Sequence, residues 1–89
     1  MIPQEGKVIV DFWAQWCGPC KSMMPVLEQY SAEEGAVEVV KINVDEHPEI
    51  SQEYGIRSIP CFIYFEDGEI IKKQIGAMSV QQLQEFTKN

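Results

Sequence analysis

The sequence predicts an α/β protein built on a four-stranded mixed sheet, and three stretches carry that prediction. Val8-Ile9-Val10-Asp11-Phe12-Trp13 is a short, largely β-branched and aromatic run, the pattern of a buried strand. It leads into a helical segment and then into Val37 to Val44, where apolar and polar residues alternate. Strand, helix and strand in that order form a βαβ unit, which is right-handed and pairs its strands in parallel. Finally, Glu66-Asp67-Gly68 separates two strand-like runs and reads as a hairpin turn, which makes the second half antiparallel. The combination gives a sheet of order 2-1-3-4 flanked by three helices.

The elements follow in order. The first strand covers Lys7 to Trp13 and the first helix Gly18 to Glu34. Pro19 suits the first helical turn, where its missing N–H has no intrahelical partner to lose. Pro25 lies inside the helix, removes a backbone donor and predicts a kink. Gly35-Ala36 ends the helix. The alternation of Val37 to Val44 predicts a second strand with one well-buried face, at a sheet edge. Asp45-Glu46-His47-Pro48 turns the chain into a short helix, Glu49 to Tyr54, and Cys61 to Phe65 and Glu69 to Ile75 are the last two strands. Ser79 caps a final helix that runs to about Thr87, with Gln82 three residues on completing a capping box. With no repeat or linker, residues 1–89 read as a single domain.

Charge and composition narrow the function. Fourteen acidic and seven basic side chains give a net charge of −7, which argues against nucleic acid and anionic membrane surfaces as partners. No apolar run approaches the length of a membrane span. Met1 to Gly6 lacks a basic region ahead of an apolar stretch, so no secretion signal is expected. Three cysteines form no evident disulfide framework, which favours a reducing, cytoplasmic compartment.

The chemistry concentrates in Trp16-Cys17-Gly18-Pro19-Cys20. Both thiols fall in the first turn of a helix leaving a buried strand, where free backbone N–H groups and the positive end of the helix dipole favour an anion. One cysteine should therefore ionise unusually easily. Gly18 leaves the backbone open to close approach by another chain, and Trp16 supplies a flat surface at the rim. A CxxC can also be half of a zinc site, but Cys61 and His47 are separated and do not form a second ligand pair. Beside a βαβ pattern, redox chemistry is the better reading, and no metal is expected. Asp11 stands out within its apolar strand: burial should raise its pKa, which suits a group that takes and returns a proton near neutrality.

Taken together, these residues resemble the thioredoxin family. Val10 to Lys21 is similar to its active-site segment, and Tyr54-Gly55-Ile56-Arg57-Ser58-Ile59-Pro60 to the approach to its cis-proline. Asp67-Gly68 and Ile75-Gly76-Ala77 fall where the family has its hairpin turn and its last-strand glycine. The resemblance implies a thioredoxin fold and a protein-disulfide reductase in which Cys17 is the nucleophile and Cys20 the resolving thiol. It makes Asp11 the proton acceptor behind Cys20, tuned by Lys41, and Pro60 a cis-proline packed against the pair. Trp16, Gly18, Pro19, Ile59, Gly76 and Ala77 would then bind an extended segment of the target. The implied partners are disulfide-containing proteins and a thioredoxin reductase, with no cofactor beyond the Cys17–Cys20 disulfide itself. A salt bridge between Asp11 and Lys41 without a catalytic part is the plainer alternative.

Two departures from the family stand out. The usual N-terminal strand and helix are missing, since six residues before Lys7 cannot supply both. That leaves the second strand as an open edge and suggests a monomer or a weak dimer. Cys61 replaces the threonine that generally follows the cis-proline. A buried cysteine most often packs as a small hydrophobe, although an accessory thiol or a third metal or cluster ligand is the functional alternative. An interaction module whose open edge is filled by a partner would be a third class of function.

Overall fold

β1, spanning Lys7–Trp13, is the strand around which the rest is arranged in the computed structural model, which describes residues 1–88. Among those residues it is followed by α1 (Gly18–Ser31), β2 (Glu38–Asn43), α2 (Pro48–Glu53), β3 (Cys61–Glu66), β4 (Glu69–Ile75) and α3 (Val80–Phe86). The sheet order is β2-β1-β3-β4, as expected. β1 pairs in parallel with β2, from Val8 opposite Glu38 to Trp13 opposite Asn43. It pairs antiparallel with β3, and β3 with β4 across the turn at Asp67-Gly68.

Strand alternation divides the core into two layers. Val8, Val10 and Phe12 join Ile42, Cys61, Ile63 and Phe65 on one face, where Ile50 and Tyr54 of the α2 region and Ile56 pack against them. The Tyr54 ring meets Phe65 edge-on at 5.7 Å between centroids. Ile9 and Phe62 face the other way, against Met23, Leu27 and Tyr30 of α1 and against Met78 and Leu83. Burying side chains of this size contributes about 1.5–3 kcal/mol each, so the two apolar layers fix which way β1 faces. Asp11 is the one charged residue of β1 wholly withdrawn from solvent, and it shares the α1-facing parity of Ile9.

The helices differ slightly from expectation. α1 stops at Ser31, three residues short of Glu34, because the chain turns tightly there: the Glu33 N–H bonds to the Tyr30 carbonyl, and Gly35 takes a left-handed φ of 83°. The helix continues through Pro25. Both Pro25 and Lys21, whose carbonyl loses its intrahelical donor, are exposed, so water can replace the missing bond. α2 begins one residue early because Pro48 occupies its first turn. The capping box of α3 is complete: Gln82 N–H donates to Ser79 Oγ at 3.1 Å, and Ser79 N–H to Gln82 Oε1 at 2.8 Å.

β2 is bonded to β1 alone among the described residues, which makes it the expected open edge. Residues 1–6 form neither strand nor helix. They have a role even so. Gly6 N–H donates to Asp67 Oδ1 at 2.8 Å, and Asp67 N–H to the Gly6 carbonyl at 2.9 Å, so the chain start is pinned to the hairpin turn. From there Ile2 reaches the α2-side core and packs against it.

Candidate active site

The site forms where β1 ends and α1 begins. Cys17 is the N-cap of α1, with an extended backbone, and its sulfur accepts the Cys20 backbone N–H at 3.2 Å. This is the place where the helix leaves donors unsatisfied, so a sulfur takes the position usually filled by a serine or aspartate oxygen. Cys17 and Cys20 are joined as a disulfide, with their Cα atoms 5.2 Å apart. Cys20 is fully buried, whereas Cys17 keeps 5% of its surface, so an incoming sulfur meets Cys17 first. A side chain added at Gly18 would meet nothing within 4 Å, which leaves the outer surface of the pair clear for another chain.

Three further segments converge on the pair. The Ile59–Pro60 peptide is cis, and the Ile59 carbonyl oxygen lies 3.8 Å from Cys17 Sγ. Pro60 is buried, and its carbonyl accepts the Gly76 N–H at 2.9 Å. Gly76 needs its glycine, because a φ of 104° is open to few other residues. Ala77 beside it is exposed, and Trp16, just before Cys17 in the chain, presents 70% of its surface. Of the residues expected at the site, Ile59 lies against Cys17, Pro60 ties Gly76 to the cis-proline loop, and Trp16 and Gly18 are its neighbours in the chain; Pro19 is exposed in the first turn of α1.

By strand parity with Ile9, Asp11 lies on the α1 side of β1, the side on which Met23, Leu27 and Tyr30 of the buried α1 stripe pack. Neither carboxylate oxygen has a hydrogen-bond partner among the described residues. Burial pushes the Asp11 pKa up to about 7, with the positive charge of Lys41 opposing the rise. Lys41 is directly opposite Asp11 in the β1–β2 register and is exposed, so it acts through space. The plainer alternative of a hydrogen-bonded Asp11–Lys41 salt bridge is not realised. Lys41 also lines a groove of about 620 Å3 between α1 and β2, together with Leu27 and Val39.

Cys61 is adjacent to Pro60 in sequence but packs elsewhere. It opens β3 opposite Phe12, is 1% exposed and belongs to the α2-side layer with Ile63 and Phe65, away from the Cys17–Cys20 cluster. Burial raises its thiol pKa, with Lys73 opposing and Asp11 adding to the rise. Two contacts were not foreseen from the sequence. Trp16 Nε1 donates to Asp45 Oδ2 at 2.8 Å, and the Met78 backbone N–H donates to Met23 Sδ at 3.3 Å. Asp45 falls in the predicted turn and Met23 in the predicted first helix; neither carries a local signal for these roles.

A dithiol that closes on itself at a helix start, with one sulfur reachable and the other buried, is built to exchange disulfides. The class is a thiol–disulfide oxidoreductase. Comparison with known proteins gives the family. The thioredoxin family profile matches residues 1–89. A thioredoxin of Alicyclobacillus acidocaldarius is 50% identical over 84 residues, 93% of this chain and 80% of the relative. That of Pseudomonas aeruginosa is 40% identical over 87 residues, 97% of this chain and 81% of the relative. Among solved structures, a thioredoxin variant from Halobacterium salinarum superposes with a TM-score of 0.85 at 36% identity, covering 93% of this chain and 73% of that one. A chain from a study of thiol resolution in yeast mitochondrial 1-Cys peroxiredoxin by the glutathione and thioredoxin systems also gives 0.85, at 38% identity, covering 94% and 78%. The chain belongs to the thioredoxin family and is a protein-disulfide reductase with a redox-active Cys17–Cys20 pair.

Proposed function

We propose that Cys17 is the attacking thiol, Cys20 the resolving thiol and Asp11 the base, within a single domain that needs no bound cofactor. The observation that carries this reading is the unequal exposure of the two sulfurs at the start of α1. In the reduced protein, backbone donors such as the Cys20 N–H favour the Cys17 thiolate. That thiolate attacks one sulfur of a target disulfide; the target's S–S bond breaks and the other target sulfur leaves as a thiolate that takes a proton from solvent. Asp11, as carboxylate, accepts the Cys20 proton. The Cys20 thiolate attacks Cys17 Sγ, the mixed disulfide breaks, and the second target sulfur is released. Two electrons have passed to the target and the Cys17–Cys20 disulfide remains.

Trp16, Gly18, Pro19, Ile59, Gly76 and Ala77 form the docking groove in this reading, with the cis Ile59–Pro60 peptide presenting backbone to an extended target segment. Lys41 tunes Asp11 from the neighbouring strand. The targets are disulfide-containing proteins, and a thioredoxin reductase returns the pair to the dithiol. We place the chain in the cytoplasm as a monomer or weak dimer; no helix among the described residues is long and apolar enough to cross a membrane. Cys61 acts as packing rather than as a third active thiol.

Trapping tests the order of attack. Cys20→Ser should accumulate a stable mixed disulfide with a protein substrate such as insulin, joined through Cys17 and released by dithiothreitol. Cys17→Ser should form none. Adducts joined through Cys20 in Cys17→Ser would reverse the assignment.

A further inference from the structure

We propose that Met23 is a positioning residue for target binding, its thioether holding the Gly76–Met78 segment in place by accepting the Met78 backbone N–H. The proposal rests on the docking groove described above and adds to it the side chain that supports one wall. The donor and acceptor are 3.3 Å apart and buried, with Met23 1% and Met78 6% exposed. A thioether accepts hydrogen bonds but has no proton to give, and at this depth water does not replace it. Buried backbone N–H groups are almost always paired, so this sulfur meets a requirement of the Met78 amide.

The contact matters because of where the two residues sit. Met23 is on the buried stripe of α1, one turn beyond Cys20. Met78 ends the short segment that leaves β4 and precedes the Ser79 cap of α3. That segment is held at two points: Gly76 N–H to the Pro60 carbonyl at 2.9 Å, and Met78 N–H to Met23 Sδ. Ala77 is exposed between them. With the approach of Cys17 Sγ to the Ile59 carbonyl, these contacts link the redox helix, the cis-proline loop and the last wall into one closed arrangement. A target strand lying along Ile59 and Ala77 therefore meets a surface whose spacing is set partly by Met23.

Met23→Leu removes the acceptor at nearly constant volume, a change that cores tolerate well. The unpaired amide should then pull the segment out of position. We expect KM for insulin reduction to rise about three- to tenfold, with kcat within about twofold of wild type. Reduction of dithionitrobenzoate, too small to use the groove, should proceed at the wild-type rate, and the Cys17–Cys20 potential should not move. Ala77→Glu serves as the comparison, since it disturbs the groove without touching the Met23 contact. An unchanged KM in Met23→Leu beside a raised KM in Ala77→Glu overturns the role of Met23 and leaves the groove intact. Unchanged KM in both overturns the groove and, with it, this proposal. A parallel fall with both insulin and dithionitrobenzoate in Met23→Leu also overturns it, because that marks a general structural defect. Amide exchange in the wild-type protein gives a reading independent of any variant: Met78 N–H should be protected, and fast exchange there refutes the proposal.

Discussion

The buried carboxylate gives the sharpest quantitative test. Asp11 has no solvent exposure, neither oxygen has a hydrogen-bond partner among the described residues, and burial raises its pKa from 3.8 to about 7. The folded protein therefore binds this proton more tightly than the unfolded chain does. The sign follows from linkage. Stability associated with protonated Asp11 is fully present below the unfolded pKa, falls as pH rises toward 7 and levels off above it. The separation of the two pKa values corresponds to about 4 kcal/mol in full. Between about pH 5 and about pH 8, the part lost is about 2.5 kcal/mol.

Asp11→Asn removes the titration, and urea unfolding of the oxidised wild-type and variant proteins across that range measures it. The cost of burying an amide with no partner is independent of pH and drops out when the stability difference is followed against pH. The oxidised form keeps Cys17 and Cys20 from titrating. The variant should gain about 2.5 kcal/mol on wild type between the two pH limits, nearly all of it below about pH 7.5. A difference that stays flat would mean Asp11 ionises like an exposed carboxylate, and the argument from burial would fail. The same substitution should slow release of the target from the Cys17 mixed disulfide at neutral pH, because the base is gone. Stability and rate should move in opposite directions.

Two other expectations can be checked more simply. Asp45→Ala frees the Trp16 indole, which presents 70% of its surface and is held by one charge-assisted bond; KM for insulin should rise about two- to fivefold with a stability change below about 1 kcal/mol, and an unchanged KM would mean the rim does not need a fixed Trp16. Cys61→Ala should cost about 1 kcal/mol in urea unfolding as a small loss of packing and leave the Cys17–Cys20 potential within about 10 mV, since 30 mV is already a tenfold change in the equilibrium; a shift that large would make Cys61 part of the redox site.

Much of the site was legible because its signals are local. Cys17 and Cys20 sit three apart between an apolar run and a helical segment, and helix-end physics says what a sulfur does there. Asp11 announced itself as a carboxylate inside a strand. Sheet order followed from one crossover and one hairpin. Contacts formed by distant segments were not legible. The Trp16–Asp45 bond spans 29 positions and the Met78–Met23 bond 55, and both joining elements had to be in place first. Cys61 illustrates the same limit. Its neighbour Pro60 touches the site, but strand alternation turns the Cys61 side chain into the opposite layer. Element ends were harder still: α1 could have continued past Ser31 on propensity, and only the turn through Gly35 ended it.

Asp11 and Lys41 together show how a structural reading and a catalytic reading of one carboxylate can be separated. Were Asp11 retained for stability, Lys41 opposite it in register would be expected to close an ion pair, and removing the carboxylate would orphan a charge and weaken the fold. Instead the oxygens are unpaired and the lysine stays at the surface. Lys41 lowers the pKa only part of the way back toward its ordinary value, which keeps the proton exchangeable near neutrality. In the proposed mechanism, a carboxyl buried with no bond to hold it ionised serves proton transfer to and from Cys20. Pairing Lys41 fully with Asp11 would recover stability but hold the carboxylate ionised, too weak a base to take the thiol proton. In the proposed mechanism, leaving the Asp11 carboxyl unpaired beside Lys41 is therefore what lets it both accept the Cys20 proton and give it up.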